Sequence, residues 1–318
     1  MVRSRRVATI VALLVISGDG QADWSAGDTS AGYQVVRTFG RKGDAEGEFA
    51  GPFGIRVGPD GLLYVVDDLG PGISVFDTQG GFLRRFGKKG HGPGELAYPD
   101  SLTFDAEGLL YIADTGTNRI QVWDPTGRYR REFGRRSVPP PGRPLQNPRD
   151  VLFGPDGLVY VADFNGHRVQ VYEKEGRPVR LIGRKGSGAG EFNGPIQLTF
   201  SRTGRLYVAE QHGHRIHVTT PTGEFVQSFG ERGMGPGQLN APHGLAFGPD
   251  HLLYVADHAN HRVAVFGPDG AFVRTLGRQG SAPGELSHPT ALCFDKTGLL
   301  YLVDQGNHRV QVWKLTAP

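Results

Sequence analysis

LYVADHANHRVAV, Leu253 to Val265, decides the reading of this chain, because the sequence repeats nearly the same phrase six times. A Tyr inside a short apolar run is followed three positions later by an acid, and in five copies an Arg comes five positions after the acid. Tyr64, Tyr111, Tyr160, Tyr207, Tyr254 and Tyr301 mark the copies, so the period is about 47 residues, the length of one supersecondary unit in a closed repeat array.

One whole unit, from Gly237 to Gly277, shows what is repeated. Pro242 to Phe247 alternates large and small residues, as a half-buried strand does. Gly248-Pro249-Asp250 has the residue types of a tight turn. Leu252 to Ala256 and Arg262 to Phe266 are two further strands around the polar loop Asp257 to His261. Pro268-Asp269-Gly270 turns again into a fourth strand, Ala271 to Leu276. No helical period is sustained anywhere. Four short antiparallel strands repeated six times predict an all-β, six-bladed propeller. The sixth unit stops after its third strand, Val310 to Trp313, and a strand-like YQVVRTFG stands alone at Tyr33 to Gly40. That N-terminal strand is expected to complete the last blade, which removes two open sheet edges.

Outside the repeats, residues 1–22 read as a signal peptide. Arg3, Arg5 and Arg6 precede an apolar run, Val7 to Ile16, and Gly20-Gln21-Ala22 offers small residues for cleavage. The run is too short for a bilayer, which needs about 20 residues, so no transmembrane span is expected beyond the signal. The expected location is periplasmic or secreted, with a linker at 23–32 and the propeller at 33–318. The 35 basic and 32 acidic residues give +3; without Arg3, Arg5, Arg6 and Asp19 the balance is 32 against 31, or +1. A nucleic-acid footprint is therefore not expected. The single Cys, Cys293, excludes an internal disulfide, and its setting between Leu292 and Phe294 is that of a buried thiol.

The phrases PFGIRVGPDGLLYVVD (Pro52 to Asp67), ADTGTNRIQVWD (Ala113 to Asp124), ADFNGHRVQVY (Ala162 to Tyr172) and the triplets Asn260-His261-Arg262 and Asn307-His308-Arg309 resemble the NHL-repeat family. The resemblance runs from Tyr33 to Trp313. It implies the propeller fold and leaves the activity open, since one fold hosts many functions.

Residues shared by every blade are expected to serve the blade. Asp114/Arg119, Asp163/Arg168, Glu210/Arg215, Asp257/Arg262 and Asp304/Arg309 keep one spacing and are expected to pair, out of contact with water in at least some blades. Blade one departs from this, with Gly72 in the place of the Arg, leaving Asp67 and Asp68 without that partner. Positions that differ between blades are where a site is written. The residue after the Pro that opens each first strand reads Phe53, Asp100, Arg149, Ile196, His243 and Thr290; the residue after each repeat acid reads Asp68, Thr115, Phe164, Gln211, His258 and Gln305. From these and the neighbouring His212, the candidate ligand-binding residues are Asp100, Arg149, Phe164, His212, His243 and His258. They suit a small polar or anionic ligand with an apolar part. Cations in the links between blades, Arg41, Lys42, Lys88, Lys89, Arg184 and Lys185, are a candidate rim for an anionic partner.

The favoured reading is an exported, monomeric binding module for a protein, a glycan or a small anionic ligand, with no catalytic residue, cofactor or metal assigned. The first alternative is a metal-dependent lyase or hydrolase with zinc or calcium, using His243, His258 and His212. Amidating lyases, which resemble NHL propellers, use His from several blades with an Arg and a Tyr. Here Pro242-His243-Gly244-Leu245 is similar to one such strand, but Phe164 lacks a hydroxyl where an aromatic acid/base would stand. A lactonase-like centre would need more carboxylates than Asp68 and Asp100. A structural scaffold in the envelope is the second alternative.

Overall fold

The computed structural model describes residues 32–70, 72–135 and 139–315. The expected signal, 1–22, and residues 23–31 of the expected linker lie outside the described residues. Among the described residues no helix is long and apolar enough to cross a membrane.

Each repeat folds into one four-stranded antiparallel sheet. In blade five the strands are Pro242–Phe247, Leu253–Asp257, Arg262–Phe266 and Phe272–Leu276. Local chemistry sets the turns between them. After the first strand, Gly248 N–H donates to Leu252 O at 2.9 Å and Leu252 N–H donates to the Asp250 carboxylate at 3.2 Å, an Asx-type turn. His251 sits there at φ 65°, in the left-handed position that Gly61, Gly108, Gly157, Gly204 and Gly298 fill in the other blades.

Five blades run first to fourth strand in order. The sixth is assembled from both chain ends, with Tyr33–Phe39 beside Arg309–Leu315, then Leu300–Asp304, then Pro289–Phe294. Tyr33 pairs with Leu315, Val35 with Trp313 and Phe39 with Val310, with a bulge between Val35 and Arg37. The fourth strand of blade three carries an equivalent irregularity where Val171 and Tyr172 pair with Arg180 and Pro178. The N-terminal strand has therefore taken the shape of a blade's own fourth strand, and the ring closes as the sequence predicts.

The core is the set of contacts between neighbouring sheets. Tyr254, Val263, Val265 and Leu276 of blade five pack on Leu292, Leu300, Leu302 and Trp313 of blade six, with Tyr33 among them. Tyr301, Val303, Val310 and Val312 of blade six pack on Ile55, Leu63, Val65 and Phe76 of blade one. Second strands are buried at every residue in all six blades because each face meets a neighbour. Near the axis the first strands approach so closely that a Cβ on Gly54 would lie 2.3 Å from Asp100 O, and one on Gly244 would lie 2.7 Å from Thr290 O. Glycine keeps the ring tight there.

The repeated charges pair as expected and bind each link to its blade. Arg119 Nε lies 2.7 Å from Asp114 Oδ2, with both side chains fully buried. Ala97 N–H donates to Asp114 Oδ1 at 2.7 Å, and Arg119 Nη2 donates to Glu95 O at 2.9 Å. Arg215, Arg262 and Arg309 repeat the pattern on Glu210, Asp257 and Asp304 at 2.7–2.8 Å, and Arg168 lies 2.8 Å from Asp163. The histidines before three of these Arg residues tie one blade to the next. His167, His214 and His261 accept on Nδ1 from the backbone N–H of Gly194, Ala241 and His288 at 3.0–3.2 Å. In the second blade Asn118 Oδ1 takes the same place, accepting from Asn147 N–H at 2.6 Å.

Candidate functional site at the channel mouth

First strands enter, and second strands leave, at the same end of the ring as the links. That end holds all six candidate ligand-binding residues. Arg149 Nη1 donates to Asp100 Oδ2 at 2.6 Å and Nε donates to Asn147 Oδ1 at 3.0 Å. The guanidinium lies over Phe53 at 5.8 Å and over Phe164 at 5.1 Å, within reach of a cation–π attraction. His212 meets Phe164 edge-on at 5.0 Å. His243 stacks on His258, centroids 4.0 Å apart and planes 3° apart, and Phe53 touches His243 at 5.7 Å.

These contacts cross the ring. Phe53 comes from blade one, Arg149 from blade three and His243 from blade five, so three alternate blades meet on the axis. Phe53 also packs against the hydrophobic cluster that contains Phe164 and Ile196, and its backbone O accepts the Thr290 hydroxyl at 2.7 Å. The mouth therefore has an aromatic floor with one cation above it. Two open depressions of about 350 and 340 Å³ lie elsewhere, on the links at Glu132–Arg135 and Gly230–Gln238.

Burial sets the titration of the mouth. It pushes the Asp100 carboxyl up to about 6 against the pull of Arg149. It pushes Asp68 up to about 7, with Asp100 and Asp67 adding to the rise. It holds His243 well below the usual imidazole range and His258 down at about 4, where His288 also disfavours a second charge. Both stacked rings are therefore neutral near pH 7. His258 Nδ1 lies 3.3 Å from Pro289 O; a carbonyl only accepts, so that nitrogen carries the hydrogen. His243 is 6% exposed, and neither ring nitrogen has a hydrogen-bond partner.

The donor set does not fit the zinc or calcium of the metal-dependent alternative. Imidazole lone pairs lie in the ring plane, and parallel rings with centroids 4.0 Å apart cannot both aim a nitrogen at one zinc at about 2.0–2.1 Å. His212 stands with Phe164 and is not in contact with the stacked pair; His288, 5.0 Å from His258, takes that place. Calcium asks for about 6–8 oxygens, and Asp100 is held by Arg149. Among the described residues, no group of three His, Cys, Asp or Glu side chains could hold a metal ion.

The link cations differ from the sequence expectation. Arg41, Lys88 and Arg184 lie 2.7, 2.8 and 3.0 Å from Glu48, Glu95 and Glu191 of their own links. The Gly-Glu pair near the end of each of these links, Gly47-Glu48, Gly94-Glu95 and Gly190-Glu191, thus supplies a counter-charge, which halves the expected positive rim. Lys42, Lys89 and Lys185 have no ion pair among the described residues, and Lys89 lies over Tyr98 at 5.7 Å.

One layer deeper, the sequence reading missed Asp150. It is fully buried, accepts the Ser101 hydroxyl of blade two and the Leu198 N–H of blade four at 2.8 Å, and lies 3.7 Å from Arg56 of blade one. In the next first strand Gln197 Oε1 accepts Leu245 N–H at 2.6 Å. The signal was available as the next residue along each first strand: Gly54, Ser101, Asp150, Gln197, Gly244 and Ala291.

The sequence matches the NHL repeat over residues 145–172, 239–266 and 286–313, and a family described as a 6-bladed beta-propeller, DUF5128, over residues 55–134. The chain is a six-bladed β-propeller, with NHL repeats matched in blades three, five and six. No curated protein matches it. Among solved structures it is similar to virginiamycin B lyase from Staphylococcus aureus, at 17% identity and TM-score 0.62, over 89% of this chain and 100% of the other. It is also similar to a gluconolactonase from Xanthomonas campestris, at 16% identity and TM-score 0.63, over 85% and 88%. An auxiliary nutrient binding protein from Bacteroides thetaiotaomicron has the same identity and TM-score, over 85% and 70%. At these identities the likeness is one of fold.

Proposed function

We propose that this protein is an exported binding module that captures a small ligand at the channel mouth. One observation carries the reading. Phe53, Arg149 and His243 converge on the axis from alternate blades, and around them polar atoms are left that the scaffold does not use. Both nitrogens of His243 and Oδ1 of Asp68 are buried without partners, whereas the side-chain oxygens of the repeat acids are all engaged by the fold. A buried polar group left unpaired costs about 1–3 kcal/mol, and a ligand that pairs it recovers that cost. Export rests on the basic start, apolar run and cleavage-like ending of residues 1–22.

Virginiamycin B lyase and the gluconolactonase suggest a second reading, a lyase or hydrolase. The poor fit of the mouth residues to a metal favours binding. A fragment screen by ligand-observed NMR on the wild type and on His243→Leu tests the proposal. Hits lost in the variant support it, and a hit set that His243→Leu leaves unchanged sinks it.

A further inference from the structure

The charges of the mouth specify a ligand class different from the one the residue types suggest. Arg149 is already engaged by Asp100 at 2.6 Å and by Asn147 at 3.0 Å, so its charge is matched one for one. Asp68 has no such match. It opens the loop of blade one, where Gly72 stands in place of the Arg of the other blades. Asp67 beside it accepts the N–H groups of Ala50, Gly51 and Gly70 at 2.6–3.1 Å. Asp68 Oδ1 is buried and accepts nothing. The charged groups that face its carboxylate are Asp67, Asp100 and Arg149, two acids against one base, and the backbone N–H of Leu69 is the neutral donor beside it. An anion arriving here meets an excess of negative charge.

A second observation is independent of the acids. His243, more than nine-tenths buried, reaches across the axis to Phe53 with both ring nitrogens unpartnered. Being neutral, it does not repel a cation, and it offers one donor and one acceptor to a ligand. Phe53 lies between Arg149 at 5.8 Å and His243 at 5.7 Å. Beside Asp68, Leu69 is 54% exposed, an apolar lip.

We propose that the channel mouth binds a small organic ammonium ligand, its cation on Asp68 and its apolar body across Phe53 and Leu69. This rests on the mouth being the ligand site and replaces the anionic ligand with a cationic one. Phenethylamine, phenylacetate and 2-phenylethanol share a ring and differ in charge, so calorimetric titration with the three separates the possibilities. Phenethylamine is expected to bind at pH 8 at least tenfold more tightly than the other two. Its affinity falls about tenfold at pH 6 as Asp68 gains its proton, and it is lost in Asp68→Asn, whose unfolding midpoint shows that the variant is folded. Phenylacetate binding as tightly as phenethylamine, or phenethylamine binding unchanged in Asp68→Asn, overturns the cation assignment while leaving the mouth as the site. Failure of all three probes to perturb the mouth overturns both.

Discussion

Tyr254 and Tyr33 meet hydroxyl to hydroxyl at 3.1 Å, with rings edge to face at 5.8 Å. One belongs to the repeat phrase of blade five and the other to the strand that closes blade six. Arg274 Nη2 donates to the Tyr254 hydroxyl at 3.1 Å and its guanidinium lies over the Tyr33 ring at 5.7 Å. The closing strand is thus held by its neighbour blade as well as by the sheet it completes. Tyr33 is buried, so Tyr33→Ala should lose about 3 kcal/mol, the lower end for deleting a buried aromatic. Urea unfolding checks this; a change below 1 kcal/mol would mean that the strand closes the ring without securing it.

The repeat ion pairs should divide sharply from the link pairs. Arg119→Ala removes the cation paired with Asp114, both side chains having no exposure to water, and a cost of about 3–5 kcal/mol is expected. Arg41, 81% exposed beside Glu48, should cost under about 1 kcal/mol when changed to Ala. Equal losses in the two variants would contradict the buried and exposed roles given to them.

Asp68 and His258 should move stability in opposite directions with pH. Asp68 has a folded-state pKa of about 7, above its unfolded value near 3.9, so the native state binds more protons between these values and gains stability as pH falls. Removing that charge, Asp68→Asn should stabilise the protein at pH 8 by on the order of 3 kcal/mol, with the advantage shrinking towards pH 4. His258 has a folded-state pKa of about 4, below its unfolded value near 6.5, so the unfolded state binds more protons and stability falls between pH 6.5 and 4. His258→Phe, which keeps a ring on His243, should lose less stability than the wild type over that interval. Denaturation at pH 8, 6 and 4 measures both, and parallel pH profiles for all three proteins would rule the assignments out.

Metal content should not follow the histidines. The stacked geometry of His243 and His258 predicts purified protein without stoichiometric zinc or calcium, and a melting temperature unmoved by a chelator. Elemental analysis showing one zinc per chain, lost in His243→Ala, would reverse the conclusion drawn from the ring planes.

Gly54 offers a steric test of how closely the first strands approach near the axis. A Cβ there would sit 2.3 Å from Asp100 O, and backbone cannot yield as a flexible side chain does. Gly54→Ala should therefore destabilise the fold by about 1–3 kcal/mol, as overpacking does, and should displace Asp100. A variant as stable as the wild type with an unchanged crystal structure would show that the first strands have slack.

The propeller was legible in the sequence because its determinants are local. Alternation in Pro242 to Phe247, turn residues at Gly248 to Asp250 and a period of about 47 residues report strand and turn geometry that neighbouring residues impose on each other. The absent fourth strand after Trp313 even pointed to Tyr33 as its replacement. Comparison of equivalent positions also singled out Asp100, Arg149, Phe164, His243 and His258, which with the neighbouring His212 lie at one mouth. Tertiary structure alone decided what these side chains touch. Phe53 reaches His243 two blades away, Glu48 neutralises Arg41, and Oδ1 of Asp68 is left without a partner, because such contacts depend on the radius of the closed ring and the facing of side chains across it. A repeat phrase such as LYVADHANHRVAV specifies its own blade through nearest neighbours. The charge of the mouth is a property of all six blades together, and it appears only when the ring closes.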